Sequence, residues 1–446
     1  MGRLFGTDGV RGIANKDLTA KFAMDLGIAT AIVLSKKQKN VTVVIGSDTR
    51  ISGDMLVSSL ISGFCSVGVN VINLGVVPTP CVSYLVKKYK AMAGIMVSAS
   101  HNPSCYNGIK IFDRMGYKLP DALEDEIEQI ISNIDKYMKN DLKIGKILTG
   151  YNPIDDYVMH LVKSCDSKLD GLNIAIDCAN GSASVTADSL FSKLGCRYTI
   201  INDKPDGFNI NDNCGSTHIE SLVNYVVANK MDCGIAYDGD ADRCIMVDSE
   251  GNIIDGDYIL AIISKYLKEN NNLNNNTVVG TVMSNLGFVK FCQENNINFV
   301  ATKVGDRYVL EEMLLKGYNL GGEQSGHVIF KDYANTGDGE LTSLKVLEII
   351  KKSGKSLKEL SSIMKKYPQV LINVEVDNTL KNNFYTDDYI SNEIEKVSNL
   401  LGSDGRVLVR PSGTEPLIRV MIEGANKKII DKYAKELANK IKNRLQ

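Results

Sequence analysis

Residues 93–103 read Ala93-Gly94-Ile95-Met96-Val97-Ser98-Ala99-Ser100-His101-Asn102-Pro103. The apolar run 93–97 predicts a buried strand, and the polar residues that follow it, ended by a proline, predict a loop. A second apolar stretch at 107–112 predicts another strand soon afterwards. Small hydroxyl residues and a histidine at a strand end indicate a candidate nucleophile site, although hydroxyls in such a turn often bond only to the backbone. This loop alone leaves both interpretations open.

The same pattern of a β-branched apolar run ending in Gly, Asp, Ser or Asn recurs at 41–48, 172–177 and 277–282. Each run is followed by a predicted helix and then by a further predicted strand. The helices are predicted at 52–67, 183–194 and 286–294, and the strands at 69–74, 197–201 and 298–302. This alternation predicts three related doubly wound α/β domains, with ligands at the carboxyl ends of the strands.

The block from 369 onward has a different pattern, with strand-like runs at 370–376, 407–409 and 417–422 and a helix from 426 to the end. It predicts a small α+β domain, and the side chains expected on the core face of its helix are Ile429, Ile430, Tyr433, Leu437 and Ile441. An acidic helix is expected at 121–139. We therefore expect four domains, at 1–150, 151–254, 255–368 and 369–446.

The composition excludes several classes of protein. The chain has 446 residues, of which 44% are apolar and 23% charged, and a net charge of −2. This balance provides no basic surface for a nucleic acid, and no apolar run reaches the roughly 18 residues that a membrane span needs. The N-terminus has no signal-peptide core, so a cytoplasmic location is expected. Ten cysteines occur without a C-x-x-C spacing, which argues against a zinc cluster and fits a reducing compartment.

The loop Asp238-Gly239-Asp240-Ala241-Asp242-Arg243 follows the apolar run 233–237 and places three carboxylates at alternate positions. Such carboxylates repel one another unless a cation lies between them, and oxygen ligands favour Mg²⁺ before Ca²⁺ or Mn²⁺. The alternative is a solvated acidic turn, although three aspartates in five positions are uncommon in turns. An EF-hand is excluded because Arg243 and Ser249 stand where it needs Gly and Glu. Magnesium commonly meets a phosphate, and Arg243 is placed to neutralise charge on a transferring phosphoryl group.

Two further loops carry polar groups at strand ends. The stretch Arg410-Pro411-Ser412-Gly413-Thr414-Glu415-Pro416, followed by Arg419, combines a guanidinium, hydroxyls and a glycine, which suits an anion such as phosphate. In the stretch Gly321-Gly322-Glu323-Gln324-Ser325-Gly326-His327, Glu323 and Ser325 alternate and can both face vicinal hydroxyls or an amine. His327 can move a proton near neutral pH, although a lone histidine is often structural.

Two arginines follow turn-rich stretches near the N-terminus. Arg11 lies in the glycine-rich segment 5–12, and Arg50 closes Ser47-Asp48-Thr49-Arg50 at the end of the first core strand. Either arginine can tie domains together or reach a phosphate, and the sequence does not distinguish these interpretations.

The four loops at 98–103, 238–243, 322–327 and 410–416 occur together and in the order found in the α-D-phosphohexomutases, and the resemblance extends over essentially the whole chain. Within that family, the opening segment 5–12 and Gln324 resemble the bacterial branch that acts on glucosamine phosphates. Relatives that act on mannose or glucose phosphates generally carry Met at the place of Gln324 and a loop histidine at the place of Asp306. The general base is therefore left open.

The resemblance implies a four-domain protein with the active site in a central cleft. It also implies an isomerase, an intramolecular phosphotransferase that interconverts glucosamine 6-phosphate and glucosamine 1-phosphate. A phosphoserine at Ser100 would exchange its phosphoryl group with the sugar through glucosamine 1,6-bisphosphate, with this compound or glucose 1,6-bisphosphate as primer. The product would feed UDP-N-acetylglucosamine and cell-wall synthesis. The expected partner is a hexosamine phosphate, with no nucleic acid and no membrane, and a homodimer is one state that the sequence leaves open.

The resemblance also assigns roles to individual residues. Mg²⁺ would be bound by Ser100, through its phosphate, and by the three aspartates. The remaining assignments are His101, Lys110 and Arg243 for catalysis, and Glu323, Ser325, His327, Arg410, Ser412, Gly413, Thr414 and Arg419 for substrate binding.

Other functions remain to be weighed against this one. Phosphoglucomutase or phosphomannomutase activity is the nearest alternative, and a metal-dependent phosphatase is the second. A non-catalytic sugar-phosphate sensor need not keep Ser100 and all three aspartates. A serine hydrolase is disfavoured because Ser98 and Asn102 stand where G-x-S-x-G requires glycine.

Overall fold

The computed structural model describes residues 4–6, 8–35, 41–137, 143–377, 379–412 and 416–445. These residues form two compact units. The first contains residues 1–283 and 296–363, and the second contains residues 284–295 and 364–446. None of the helices in this described part of the chain is long and apolar enough to cross a membrane.

The first sheet of the larger unit is mixed. Its strands are β1 Val10–Ile13, β2 Thr42–Ser47, β3 Asn70–Val76, β4 Ala93–Val97, β5 Tyr106–Asp113 and β6 Ile147–Leu148, in the spatial order β1-β5-β4-β2-β3-β6. The helices of this region are α1 Ala20–Ser35, α2 Gly53–Ser66, α3 Thr79–Lys88 and α4 Asp121–Ile131. The strands β2, β3, β4 and β6 run parallel, whereas β5 is antiparallel to β4 and β1. The parallel part therefore presents the loops after β2 and β4 at one edge.

The second sheet repeats this plan. Its strands are β7 Asn173–Asp177, β8 Arg197–Ile201, β9 Cys233–Tyr237, β10 Cys244–Asp248 and β11 Ile253–Ile254, in the order β11-β10-β9-β7-β8. The accompanying helices are α5 Pro153–Ser164, α6 Ala187–Leu194 and α7 Glu220–Ala228. The central strands β9, β7 and β8 are parallel, and β10 returns antiparallel to β9. The aspartate loop 238–243 is the connection between β9 and β10.

The third sheet has four strands. They are β12 Thr277–Thr281, β13 Asn298–Thr302, β14 Leu320–Gly322 and β15 Val328–Phe330, in the order β13-β12-β14-β15. The helices of this region are α8 Gly256–Glu269, α9 Leu286–Glu294, α10 Asp306–Lys316, α11 Gly339–Ser353 and α12 Leu357–Ser361. Asp338 caps α11 by accepting a hydrogen bond from the backbone N–H of Leu341 at 2.9 Å. Helix α9 groups with the second compact unit.

The second compact unit contains an antiparallel sheet of β16 Gln369–Glu375, β17 Gly405–Pro411 and β18 Leu417–Gly424, in the order β16-β18-β17. Two longer helices, α13 Asp388–Leu401 and α14 Lys427–Leu445, complete it. Ile430, Leu437 and Ile441 of α14 are buried in its core, as predicted. Ile429 is 45% exposed, so its predicted core position is wrong, because adjacent helical residues point about 100° apart.

The predicted strands lie within two residues of the observed bounds, and so do three predicted helices, at 52–67, 286–294 and 426 to the end. Two predicted helices are too long. Helix α4 ends at Ile131, where the side chains of Ser132 and Asn133 donate hydrogen bonds to backbone carbonyls of the last turn. Helix α6 begins at Ala187, because the preceding residues form a 3₁₀ turn. Part of the predicted helix 121–139, residues 138 and 139, lies outside the described residues.

Candidate active site

The loop after β4 carries Ser100 in an unusual backbone conformation. Its φ is +53°, a region that costs a residue with a side chain steric energy and that is found mainly where surrounding contacts enforce it. Its side chain is buried, and its Oγ donates a hydrogen bond to Asp238 Oδ2 at 2.6 Å. His101 Nδ1 lies 3.4 Å from the same Oγ. The predicted nucleophile and the first predicted metal ligand therefore touch, although 138 residues separate them.

Arg50 holds this loop in place. Its guanidinium is 3% exposed and donates to the backbone carbonyls of Ser100 at 3.0 Å, Asn102 at 2.8 Å and Tyr106 at 3.0 Å. Asp48 Oδ2, 2.9 Å from Arg50 Nε, orients the guanidinium. All these groups belong to the first sheet's region. Arg50 thus fixes the serine loop itself, a role that neither of the two sequence interpretations of this arginine included.

A further contact comes from the second sheet's region. Asn211 donates from Nδ2 to the carbonyl of Ser100 at 2.9 Å, and a Cβ on Gly239 would lie 2.6 Å from that carbonyl. The loop 98–103 and the loop 238–243 therefore approach each other at backbone distance, which only glycine permits at position 239.

The three predicted metal ligands form a compact acidic cluster. Asp238, Asp240 and Asp242 are buried, and each offers one carboxylate oxygen within 4.8 Å of the others. Asp240 Oδ1 and Asp242 Oδ1 are buried and accept no hydrogen bond from any described residue. Burial, together with the neighbouring Asp242 and Asp240, raises the pKa of Asp238 to about 8. Oxygen atoms left without donors in such a cluster fit a hard divalent cation.

Cations and a helix terminus balance part of this negative charge. Lys110 Nζ, on a side chain 1% exposed, lies 2.8 Å from Asp240 Oδ2 and 3.3 Å from Asp242 Oδ2. Arg243 Nε lies 3.9 Å from Asp238 Oδ2 and 3.8 Å from Asp242 Oδ1. Thr79, the first residue of α3, donates its hydroxyl to Asp240 Oδ2 at 2.6 Å. The positive end of the α3 dipole adds to this stabilisation.

The two histidines of the site differ in electrostatic environment. Burial, with the nearby Arg243 and Arg11, lowers the pKa of His101 to about 4, so this imidazole is neutral at pH 7. Burial also opposes the charging of His327, but Asp242 and Asp306 outweigh it and raise the pKa of His327. His327 Nδ1 lies 3.6 Å from Asp242 Oδ1, and its Nε2 lies 3.4 Å from Asp306 Oδ2.

The remaining residues of the predicted sugar loop are less enclosed. Glu323 Oε1 accepts a hydrogen bond from the backbone N–H of Gly305 at 3.1 Å, and burial raises the pKa of this carboxyl. Ser325 is exposed at the tip of the loop between β14 and β15. Their predicted contacts with a sugar stay predictions.

The predicted phosphate loop belongs to the second compact unit. Arg410 of β17 stands directly across from Arg419 of β18 in the sheet register. Burial and the adjacent Arg419 lower the pKa of Arg410, as expected where two guanidinium groups lie side by side. Ser412 is buried next to them. Gly413 and Thr414 lie outside the described residues, so their predicted roles stay predictions.

Sequence reasoning missed several residues that shape the site, namely Asp8, Asp48, Thr79, Lys118 and Asn211. Asp48 could have been predicted from the turn Ser47-Asp48-Thr49-Arg50, which ends a strand. Turns that follow the strands of a parallel sheet meet at one edge, so this turn is expected near the serine loop. Lys118 and Thr79 lie in stretches whose local pattern carries no such signal.

Family models match the chain in four consecutive parts. They describe phosphoglucomutase/phosphomannomutase α/β/α domain I at residues 2–138, domain II at 155–251, domain III at 255–367 and the C-terminal domain at 371–440. The chain belongs to this phosphoglucomutase/phosphomannomutase family of isomerases, and the predicted family is confirmed.

Relatives identify the branch more closely. The chain is 53% identical over 446 residues to phosphoglucosamine mutase of Clostridium novyi, covering 100% of this chain and 99% of that protein. It is 54% identical to phosphoglucosamine mutase of Clostridium beijerinckii, covering 100% of both. Both relatives belong to the branch that Gln324 and the opening segment indicated.

A solved structure of a phosphoglucomutase/phosphomannomutase family protein from Burkholderia thailandensis superposes with a TM-score of 0.83 at 25% identity, covering 99% of this chain and 98% of that one. An Aspergillus fumigatus N-acetylphosphoglucosamine mutase, solved with GlcNAc-6P and magnesium, gives a TM-score of 0.71 at 18% identity, covering 99% and 96%. The second likeness shows the shared fold.

Proposed function

We propose that this chain interconverts glucosamine 6-phosphate and glucosamine 1-phosphate, and that Ser100 carries the transferred phosphoryl group. The observation that carries the proposal is the 2.6 Å contact between Ser100 Oγ and Asp238, made by a buried serine held at positive φ. A serine that only stabilised a turn would not need to be held against a buried carboxylate cluster. The full-length likeness to phosphoglucosamine mutases supports the choice of sugar.

Mg²⁺ would be held by Asp238, Asp240 and Asp242 together with a phosphate oxygen on Ser100. The donorless oxygens of Asp240 and Asp242 fit this ion. When bound, Mg²⁺ neutralises charge on the phosphoryl oxygens. This assignment rests on the chemistry of the donor set.

The transfer itself breaks the bond between phosphorus and Ser100 Oγ as a bond forms from phosphorus to a sugar hydroxyl oxygen. The positive groups Lys110 and Arg243 would stabilise the charge spread over the transferring oxygens. Burial opposes the charging of Lys110, but Asp240 and Asp8 outweigh it and raise the pKa of Lys110, so this side chain stays charged and is suited to neutralise charge on the phosphoryl oxygens. In the transfer to the sugar, the proton that the attacking hydroxyl loses is balanced by the proton that Ser100 Oγ takes up. In the return step Ser100 loses its hydroxyl proton, and the neutral His101, 3.4 Å from Oγ, is placed to accept it.

The second half of the reaction returns the other phosphate of glucosamine 1,6-bisphosphate to Ser100. This requires the sugar to be held in two orientations, with Glu323 and Ser325 on its hydroxyls or amine and Arg410, Ser412, Gly413, Thr414 and Arg419 on the phosphate that does not react. A bisphosphate, either glucosamine 1,6-bisphosphate or glucose 1,6-bisphosphate, would prime unphosphorylated Ser100. Glucosamine 1-phosphate formed in this way would supply UDP-N-acetylglucosamine synthesis.

The deciding experiment follows turnover of glucosamine 6-phosphate in a coupled assay, with and without added bisphosphate, beside glucose 6-phosphate and mannose 6-phosphate. We expect glucosamine 6-phosphate to give the highest kcat/KM and the bisphosphate to stimulate it. Higher kcat/KM on glucose or mannose phosphate would assign the chain to another mutase. Stoichiometric release of free phosphate would identify a phosphatase.

A further inference from the structure

Six ionisable side chains form a closed ring that shares Asp242 with the aspartate cluster. In order around this ionic ring they are Asp8, Lys110, Asp242, His327, Asp306 and Lys118. The nitrogen–oxygen distances around the ring are 3.2 Å for Asp8–Lys110, 3.3 Å for Lys110–Asp242 and 3.6 Å for Asp242–His327. They continue with 3.4 Å for His327–Asp306, 2.5 Å for Asp306–Lys118 and 2.5 Å for Lys118–Asp8. Acidic and basic groups alternate throughout.

Lys118 is the member of the ring that is farthest along these contacts from Asp242. Its side chain is 14% exposed, and Nζ lies between Asp8 Oδ1 and Asp306 Oδ2. Asp8 belongs to the N-terminal loop, and Asp306 is the first residue of α10. Lys118 therefore connects two segments that are far apart along the chain. The three groups carry a summed charge of −1 in a site from which water is largely excluded.

Each of the two carboxylates that contact Lys118 also contacts a second group with a predicted role in catalysis or proton transfer. Asp8 Oδ2 faces Lys110, which contacts Asp240 and Asp242, and it also pairs with Arg11 Nη2 at 2.5 Å. Asp306 Oδ2 faces Nε2 of His327. Without the cation of Lys118, the two carboxylates would repel each other and compete more strongly for Lys110 and His327, because charges interact strongly where water is excluded.

We propose that Lys118 is a positioning residue of the phosphoryl-transfer site, which holds Asp8 and Asp306 in place and through them sets the positions of Lys110 and His327. The proposal rests on the proposed function for the reaction in which these two groups act. It accounts for a mostly buried lysine that, among the described contacts, touches neither Ser100 nor the aspartate cluster.

The test compares Lys118→Met and Lys118→Arg with the wild type. Lys118→Met changes the summed charge of the three groups from −1 to −2, whereas Lys118→Arg keeps it at −1. We expect kcat of Lys118→Met to fall on the order of 10- to 100-fold with KM roughly unchanged, as for other residues that orient site groups. Lys118→Arg should recover much of this loss, because it keeps a cation between the two carboxylates.

Lys88→Met is the matched control, because Lys88 also pairs with an aspartate, Asp156, but on the surface. It should keep the wild-type kcat. Wild-type kcat in Lys118→Met, or a Lys118→Arg no more active than Lys118→Met, would overturn the proposal. If Lys118→Met does not fold, Lys118→Gln decides, since it also removes the cation but keeps a polar side chain: a folded Lys118→Gln with wild-type kcat would overturn the proposal, and a roughly 10- to 100-fold lower kcat with unchanged KM would support it.

The same assay separates this proposal from the proposed function. A wild type that turns over no hexose phosphate contradicts the function, whatever the variants do. A wild type that is active alongside an equally active Lys118→Met contradicts only the role of Lys118.

Discussion

Arg50 donates a hydrogen bond from Nη2 to the carbonyl oxygen of Ser100 at 3.0 Å, while Asp48 holds the other side of the guanidinium. This contact is made to the backbone of the one residue whose φ is +53° in the serine loop. A positive φ at a residue with a side chain persists only where the surroundings enforce it. Arg50 is therefore the residue that gives Ser100 its direction towards Asp238.

Arg50→Lys should lower kcat by about 100-fold, because a lysine cannot reach several carbonyls at once and a small displacement of a reacting atom costs this much. The measurement is steady-state turnover of glucosamine 6-phosphate. Arg114→Lys is the control, since Arg114 is exposed. Full activity in Arg50→Lys would show that the serine loop keeps its geometry without the guanidinium.

Ser100→Ala should abolish turnover while sugar phosphate binding persists, because the hydroxyl that accepts the phosphoryl group is gone. Intact mass spectrometry after incubation with bisphosphate should find one added phosphate on the wild type and none on Ser100→Ala. Ser104→Ala, changed in the same loop, should carry the phosphate and remain active. A phosphorylated Ser100→Ala would place the modification elsewhere.

Mg²⁺ should raise the melting temperature of the wild type, since it would relieve the repulsion among three buried carboxylates. At a hundredfold excess over its Kd, a bound ion adds about 2.7 kcal/mol to the free energy of unfolding. Differential scanning calorimetry with Mg²⁺ and with EDTA measures the shift without an activity assay. Asp242→Asn should lose most of this shift in melting temperature. The control Asp212→Asn, at an exposed position, should keep it. An equal shift in Asp242→Asn would place the ion at another site.

Glu340 predicts a pH dependence of stability. Its side chain is fully buried in α11, where Thr186 donates to it at 2.7 Å, and burial raises its pKa to about 8. Between its unfolded pKa, about 4.5, and 8 the folded state binds a proton that the unfolded state has lost. Stability from this group is therefore present at low pH and is lost as pH rises towards 8.

Glu340→Gln should remove this contribution. The free energy of unfolding, measured by urea titration between pH 5 and 8 in EDTA, should then fall less steeply with pH by up to one proton, or about 1.4 kcal/mol per pH unit. Glu311→Gln, at a mostly exposed position, should leave the slope unchanged. A wild-type slope in Glu340→Gln would mean that this carboxyl is ionised in the fold.

Local patterns predicted most of the elements. The bounds of β8, β13 and α9 match the predicted ranges, because strand and helix periodicity and turn residues act within about ten positions. The bounds that were wrong, at α4 and α6, depend on side chains that compete for backbone hydrogen bonds, a contest that periodicity does not describe. The chain positions of the four functional loops were also visible in the sequence.

The amino-acid sequence by itself determined the α/β class, the candidate nucleophile at Ser100 and the acidic cluster, because each resides in a short run of residues. Only the tertiary structure decided that Arg50 orients Ser100, that Thr79 donates a hydrogen bond to Asp240, and that Lys118 contacts both Asp8 and Asp306, the latter 188 residues away along the chain. The physical reason is that a buried charge must find a partner wherever the folded chain brings one close. The position of that partner along the chain cannot be predicted from the residues next to the charge.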